Sequence, residues 1–504
     1  MAQDTSGTQL VANWHATGRV VSVVVEICWD GTNWVDESTR ALAVAWADSL
    51  LHEREGLPLL GQTAPAAASV ELDNHDGRYS PDLTGSQANT YYPDGIWDLP
   101  VRISAGFYDG ATPETLRQYT GRAYQAREYE TMAEGRPAQR AMLSLWDESA
   151  PLRQDKLTTD MYVDQRPDEI LDDLLTEVGV ASYDLDVAMG IVPWAWLDEE
   201  NVWEELSQLA AADGGWVRAT KEGEIVFERV THWLEGTDHT SSQATITRGR
   251  AWRLEDAISH KDLYSEVAVA YTPRTLGALD TIYSAREAIE VPPGETVERV
   301  CRYQVPALYV VTPVVDTDYT ALRAGGTDAR ADLSVGMTSY ANQAVIELTN
   351  ANANHSVWVL NLKLRGFPVD AEDEEQVTEV SGAGEIAGDK TYRLSANDYI
   401  QTKVQADRLA GFLRDRLGRY RRLWGFECVL APWLEVGDRV TITNADAGID
   451  GDGYLVAYEC SYRVGGMLTM TGVVLPADNL FGADGYFIIG TSATKDVGSD
   501  PLFY

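Results

Sequence analysis

Cysteine is scarce in this chain, and the four present, Cys28, Cys301, Cys428 and Cys460, form no CxxC pair. That pattern excludes a disulfide scaffold and a zinc ribbon, and it points to free, buried thiols in a protein made in a reducing cytoplasm. Cys428 and Cys460 fall in strand-like runs that are candidates for neighbouring strands. Histidine is scarce too. The seven residues are dispersed, and none forms an HExxH pair, which removes the common zinc-protease helix. No GxSxG occurs, so there is no nucleophile elbow. Long apolar runs are missing as well. The most apolar early run, 20–27, is interrupted by Glu26 and is far too short to cross a bilayer. The start, MAQDTSGTQLVANW, has no basic residues leading into an apolar core, so no signal peptide is expected. Positive charge is in short supply: 40 Lys and Arg face 78 Asp and Glu, for a net charge of −38. A general nucleic-acid binder carries a basic footprint, so that class is excluded.

What remains is a globular composition, 44% hydrophobic over 504 residues, long enough for about three or four domains. The pattern is mainly β with α+β modules in a multidomain chain, its strands suited to small β-barrels or sandwiches. Residues 1–150 read as an N-terminal β-barrel domain. Val20 to Trp29 is a strand, Asp30-Gly31-Thr32-Asn33 turns, and Trp34 starts the return. Further strands are expected over 99–106, 119–129 and 140–146. Residues 151–255 read as an α+β module of two helices and a hairpin. The first helix opens at Arg166-Pro167-Asp168-Glu169 and stops at Gly179. The second runs from about Asp198 to Ala212 and ends at Gly214-Gly215, with Trp194 or Trp196 placed to staple its start. Residues 216–219 and 225–229 pair around Lys221-Glu222-Gly223. Residues 256–380 return to β, with strands over 263–271, 345–350 and 357–364. The acidic, Gly-rich stretch 370–388 reads as an exposed connection. Residues 381–478 read as a long helix, about 398–419, plus a C-terminal β-barrel domain with strands over 425–430, 439–443, 454–463 and 467–475. Residues 479–504 read as a flexible or partner-ordered tail.

Sites for chemistry are thin. Gly382 to Thr391 is the nearest thing to a phosphate loop, but Asp389 intrudes between Gly388 and Lys390 and opposes a phosphate. Setting Gly77 at the invariant glycine of a calcium loop places Leu72 where an oxygen ligand is required. Gly448 spoils the Asp446–Asp450–Gly451 stretch in the same way. No metal, cofactor or catalytic set is therefore assigned. With 78 acids and 15 tryptophans, a glycan-degrading β-enzyme or a carbohydrate-binding receptor-recognition protein stays open as an alternative, since carboxylate separation is not written in a sequence.

The most informative stretch is Val70 to Pro81, VELDNHDGRYSP. It begins as a strand and breaks into the turn formers Asp73-Asn74-His75-Asp76-Gly77. It leaves extended, because Pro81 disfavours the α region for Ser80. By itself this reads as a strand, a sharp turn and an exposed Arg78 and Tyr79. The phrase resembles one found in tail hub and tail-tip proteins of tailed, siphophage-like phages, a family similar to the contractile-tail baseplate hub. Further phrases follow in the same order: ICWDGTNW at 27–34 resembles the opening hairpin, and LPVRI at 99–103 the strand after the motif loop. LSLWD at 143–147 resembles a strand ending in an acid, the stretch 158–177 the helix of that family, and LEVGDRVTI at 434–442 a strand near the end of hub domains. The similarity spans about 20–474. It implies a non-enzymatic structural protein of the virion, assembled in the host cytoplasm, forming a homotrimeric ring at the distal end of the tail tube. The implied partners are the distal tail protein, the tape measure protein, tail fibres or receptor-binding proteins, and DNA that passes without specific binding. Asn74, Asp76, Gly77, Arg78 and Tyr79 are the candidate interface loop.

Overall fold

Alternation of large and small side chains builds the central sheet. Along Ala41–Ser49 the residues Val44, Trp46 and Asp48 are buried, while Ala43, Ala45 and Ala47 face outward. Along Ala67–Asp73, Ala68, Val70 and Leu72 are buried and Ser69 and Glu71 are not. This period of two gives a sheet with one face on the core. The computed structural model describes residues 9–477, apart from 17, 51–59, 62–64, 111, 134–135, 230, 260–262, 373–375, 382–389, 395, 419–420, 445 and 447.

Thirteen strands share this sheet. From one end they run Ala251–Ser259, Arg421–Val429, Thr469–Pro476, Ile449–Arg463, Ala41–Ser49, Ala67–Asp73 and Arg136–Asp147. Thr112–Ala133, Leu99–Asp109, Val21–Cys28 and Trp34–Asp36 complete the path. Arg439–Asn444 branches off Ile449–Arg463, and Ala244–Thr247 pairs parallel to it. The two ends of the chain meet mid-sheet, where Trp46 stands opposite Cys460. The molecule is mainly β and made of several sheets, as expected. None of them closes into a barrel among the described residues. All four cysteines are free and buried. Cys428 and Cys460 are not on adjacent strands: both register on Met470, one from each side of Thr469–Pro476.

The helices form where caps allow. Pro167–Glu177 begins with Pro at its first turn, and Glu169 reaches back to the Arg166 N–H at 3.1 Å. Gly179, at φ +77°, stands just past its end. The second helix starts later than its periodicity suggests. Asp198–Asn201 is a strand paired with Lys156–Thr158, and the helix is Val202–Asp213, capped by the Asn201 side chain accepting from the Glu204 N–H. A hydrophobic staple would use the residue before the cap, which is Glu200, so neither Trp194 nor Trp196 serves. Trp216–Ala219 and Ile225–Glu228 pair as the expected hairpin. Lys403–Leu417 has a capping box at Thr402 and Gln405.

A second core fills the region between Ile282 and Leu364, around Val291, Ile346, Leu348, Val357 and Val359. The run 357–364 is two strands, Val357–Leu360 and Lys363–Ala371, separated at Asn361 with φ +55°. The stretch 370–388 is not wholly a connection: Gln376–Ser381 is a strand on Glu266–Tyr271. Of the phosphate-loop candidate 382–391 only Lys390 and Thr391 are described, Thr391 opening a strand that pairs parallel with Glu266–Tyr271, and the tail 479–504 lies outside the described residues. Among the described residues no helix is long and apolar enough to cross a membrane.

Candidate functional site

The motif loop folds onto a buried carboxylate. Asn74, 2% exposed, leads the turn: its Oδ1 accepts the Tyr79 N–H at 3.0 Å, and its Nδ2 donates to Ser80 Oγ and Glu128 Oε2, each at 3.1 Å. Gly77 takes φ +70° and its N–H donates to the Asn74 carbonyl. Arg78 donates to Glu37 Oε1 from Nε and Nη2 at 2.8 and 2.6 Å, and the Tyr79 hydroxyl donates to Glu37 Oε2 at 2.9 Å. Trp29 Nε1 adds a third donor at 3.2 Å, and its ring stacks on Tyr79 with centroids 5.9 Å apart. Burial, then the charge of Glu37, pushes the Tyr79 phenol far up, so it stays protonated as a donor. Asp76 takes both terminal nitrogens of Arg40 at 2.8 and 2.6 Å, which holds its carboxyl down at about 2.

The five candidate residues thus gather in one loop, but they do not all face outward. Tyr79 is 1% exposed and Arg78 is half-buried, because both satisfy Glu37, itself 2% exposed. Only Asp76, with its neighbour His75, is exposed. Glu37 escaped the sequence reading. It sits in no motif, and the signal available was a requirement: a half-buried Arg and a buried Tyr need an acid, with 78 to choose from.

A second cluster locks the LEVGD turn to the hairpin. Arg218 bridges Glu228 at 2.7 Å and Glu435 at 3.4 Å, all three buried. The Lys221 N–H donates to Glu435 Oε1 at 3.1 Å, and Lys221 Nζ donates to the carbonyls of Pro432 and Leu434. Thr120 Oγ1 and Gln118 Nε2, from the Thr112–Ala133 strand, donate to the carbonyls of Lys221 and Pro432 at 2.8 and 2.7 Å. Burial would raise Glu228, but the Arg218 guanidinium holds it at about 2. Burial pushes Asp48 up to about 7 and Asp438 up to about 8.

Trp194 and Trp196 do meet acids. With Glu200, Glu205, Arg274, Asp398 and Tyr399 they line a cavity of about 40 Å³. The space suits water rather than a sugar ring. Arg274 lies 4.4 Å over the Trp196 ring and donates to Asp398 at 3.0 Å, so that ring face is occupied. Glu205, raised to about 7 by burial, takes the Tyr399 hydroxyl and shares a hydrogen bond with Glu200. Two carboxyls in hydrogen-bond contact are closer than the roughly 5 Å minimum of a glycosidase pair. Among the described residues no three His, Cys, Asp or Glu gather as a metal set.

No family model matches the chain, and no curated protein matches it. Among solved structures, the 43 kDa tail protein of prophage MuSo2 from Shewanella oneidensis superposes with a TM-score of 0.50 at 11% identity, covering 91% of this chain and 99% of that one. The chain has the fold of a phage tail protein. The tail protein from Neisseria meningitidis MC58 gives 0.49 at 10% identity, over 91% and 98% of the two chains. Prophage tail protein gp18 from Listeria monocytogenes EGD-e gives 0.41 at 10%, over 90% and 94%. In this fold the motif loop follows the Ala67–Asp73 strand and is bonded to Glu37 and Arg40, in the connection between Trp34–Asp36 and Ala41–Ser49.

Proposed function

We propose that this chain is a non-enzymatic hub of a phage tail tip, three copies forming a ring that holds the distal end of the tail tube and opens for the genome. One observation carries the reading: the match to a phage tail protein runs through 91% of this chain and 99% of the other. Two features support it. The outward face of the sheet carries small, mostly uncharged side chains over several neighbouring strands, among them Ala43, Ala45, Ser69, Ser144 and Ser461. Such a face can lie flat against another copy. And the acids and tryptophans that gather around Glu205 leave no room for a glycan. In this reading the segments 1–150, 151–255, 256–380 and 381–478 are the units of the subunit, the first and last joined through one sheet. The loop with Asn74, Asp76, Gly77, Arg78 and Tyr79 is a rigid corner next to a neighbouring part, and the distal tail protein, tape measure and fibres contact the ring. The purified chain should have a native mass three times 55.5 kDa. A single copy at micromolar concentration would overturn the ring.

A further inference from the structure

One end of the thirteen-stranded sheet is Ala251–Ser259. Its inner edge pairs with Arg421–Val429 over its whole length, and among the described residues no strand pairs with its outer edge. A nine-residue free edge is a template for another strand. This one carries Arg253, Glu255 and Asp256, whose charges are engaged with one another or with Arg422, and it leaves apolar surface open. Trp252 is 46% exposed, and beside it a cavity of about 330 Å³ is lined by Arg248, Ala251, Leu254, Asn444 and Asp446. Leu254 registers on buried Phe426 and is itself half-buried, so the core face of the sheet continues out to this edge and is only partly covered there.

The chain itself carries a segment of matching chemistry. After Ala477, Tyr486-Phe487-Ile488-Ile489 is an apolar run of aromatic and β-branched residues, bounded by Gly485 and Gly490, with no charge and no proline. Such a run favours a strand buried on both faces, and left exposed it is an aggregation hazard.

Reach and direction agree. Thr469–Pro476 pairs with Arg421–Val429 so that its C-terminal end lies level with Arg421, which registers on Ser259. The slot beyond Ala251–Ser259 is three strand spacings away, about 14 Å. Eight residues, 478–485, extend up to about 26 Å. The segment would then turn back and run antiparallel to Ala251–Ser259, the geometry that a same-end connection requires. We propose that the segment around Tyr486–Ile489 adds to the free edge of Ala251–Ser259 in its own chain. Its side chains cover Trp252 and Leu254 on one face and Ala257 and Leu423 on the other. The proposal does not depend on the ring. It explains how an open sheet avoids edge-to-edge growth at this end.

Hydrogen exchange of the full chain tests it. The 251–259 amides should be protected, and the double variant F487D/I489D should exchange there at least tenfold faster, with 421–429 unchanged as a fold control. A peptide of residues 478–504, added to a chain cut after Ala477, should restore the protection. Equal exchange in both full-length proteins would overturn the assignment. So would protection that disappears on dilution, since the edge would then be held by a second copy.

Discussion

Two glycines show how the same atom costs different amounts in different surroundings. Gly77 has φ +70°, and a Cβ there would clash only with the Leu83 Cδ2, the tip of a side chain that is 49% exposed and free to swing. Gly77→Ala should therefore cost about 1–2 kcal/mol, nearly all of it the left-handed backbone. Gly472 has no backbone constraint of that kind, but a Cβ there would stand 2.2 Å from Phe426 Cζ, inside the core. Gly472→Ala should cost more, about 2–3 kcal/mol, because the ring has nowhere to go. Urea denaturation of both variants checks the order, and a reversed order would mean that Leu83 is pinned or that Phe426 can shift. Glu37 belongs to the same scale. It collects Arg78, Tyr79 and Trp29 through side chains alone, which is why the turn residues were readable from their φ demands and their common acceptor was not.

At the scale of elements, what was legible was local. The Pro167–Glu177 helix announces itself through Pro167, the acids of its first turn and Gly179, and the Val21–Cys28 strand through its turn at Asp30-Gly31. What was not legible was partnership. Nothing near Ala41–Ser49 says that it pairs with residues more than 400 positions away, and nothing near Asp198–Asn201 says that Lys156–Thr158 claims it as a strand before the helix starts. Tertiary pairing overrode a helical period there. The acid–tryptophan cluster around Glu205 was legible as composition but not as geometry. The LEVGD turn is similar: its Gly-Asp was read as a tight turn, which Asp438 closes by accepting the Glu435 N–H, but nothing in it told that Glu435 holds the hairpin through Arg218 and Lys221. Arg218→Met would leave Glu228 and Glu435 buried without their cation, a loss of about 3–5 kcal/mol. Hydrogen exchange should rise first in 216–228. Exchange that rises uniformly along the chain would deny the turn its local role.

For the whole molecule, charge and burial combine into a testable pH profile. Asp48, Glu205 and Asp438 are held near 7, 7 and 8, above ordinary values of 3.8 to 4.5, so between about pH 4 and 8 the folded chain binds protons that the unfolded chain has released. Stability from these groups is present at the acid end of that window and is lost as pH rises through it. Glu228, held near 2 by Arg218, works the other way: its contribution is full above about 4.5 and is lost as pH falls toward 2. The two trends cross at about pH 4, where Tm should peak and from which it should decline toward pH 8. The net charge of −38 adds self-repulsion of the same sign on the alkaline side, so a decline alone would not identify the buried groups. Salt separates them. At about 0.5 M the Debye length is only a few ångströms, which removes surface repulsion but leaves Asp48 in the core untouched. The decline should persist in salt and flatten in Asp48→Asn, whose amide carries no charge at pH 8. A slope that vanishes in salt would assign the whole effect to the surface, and a Tm that climbs from pH 5 to 8 would mean that these carboxyls ionise without cost in the folded chain.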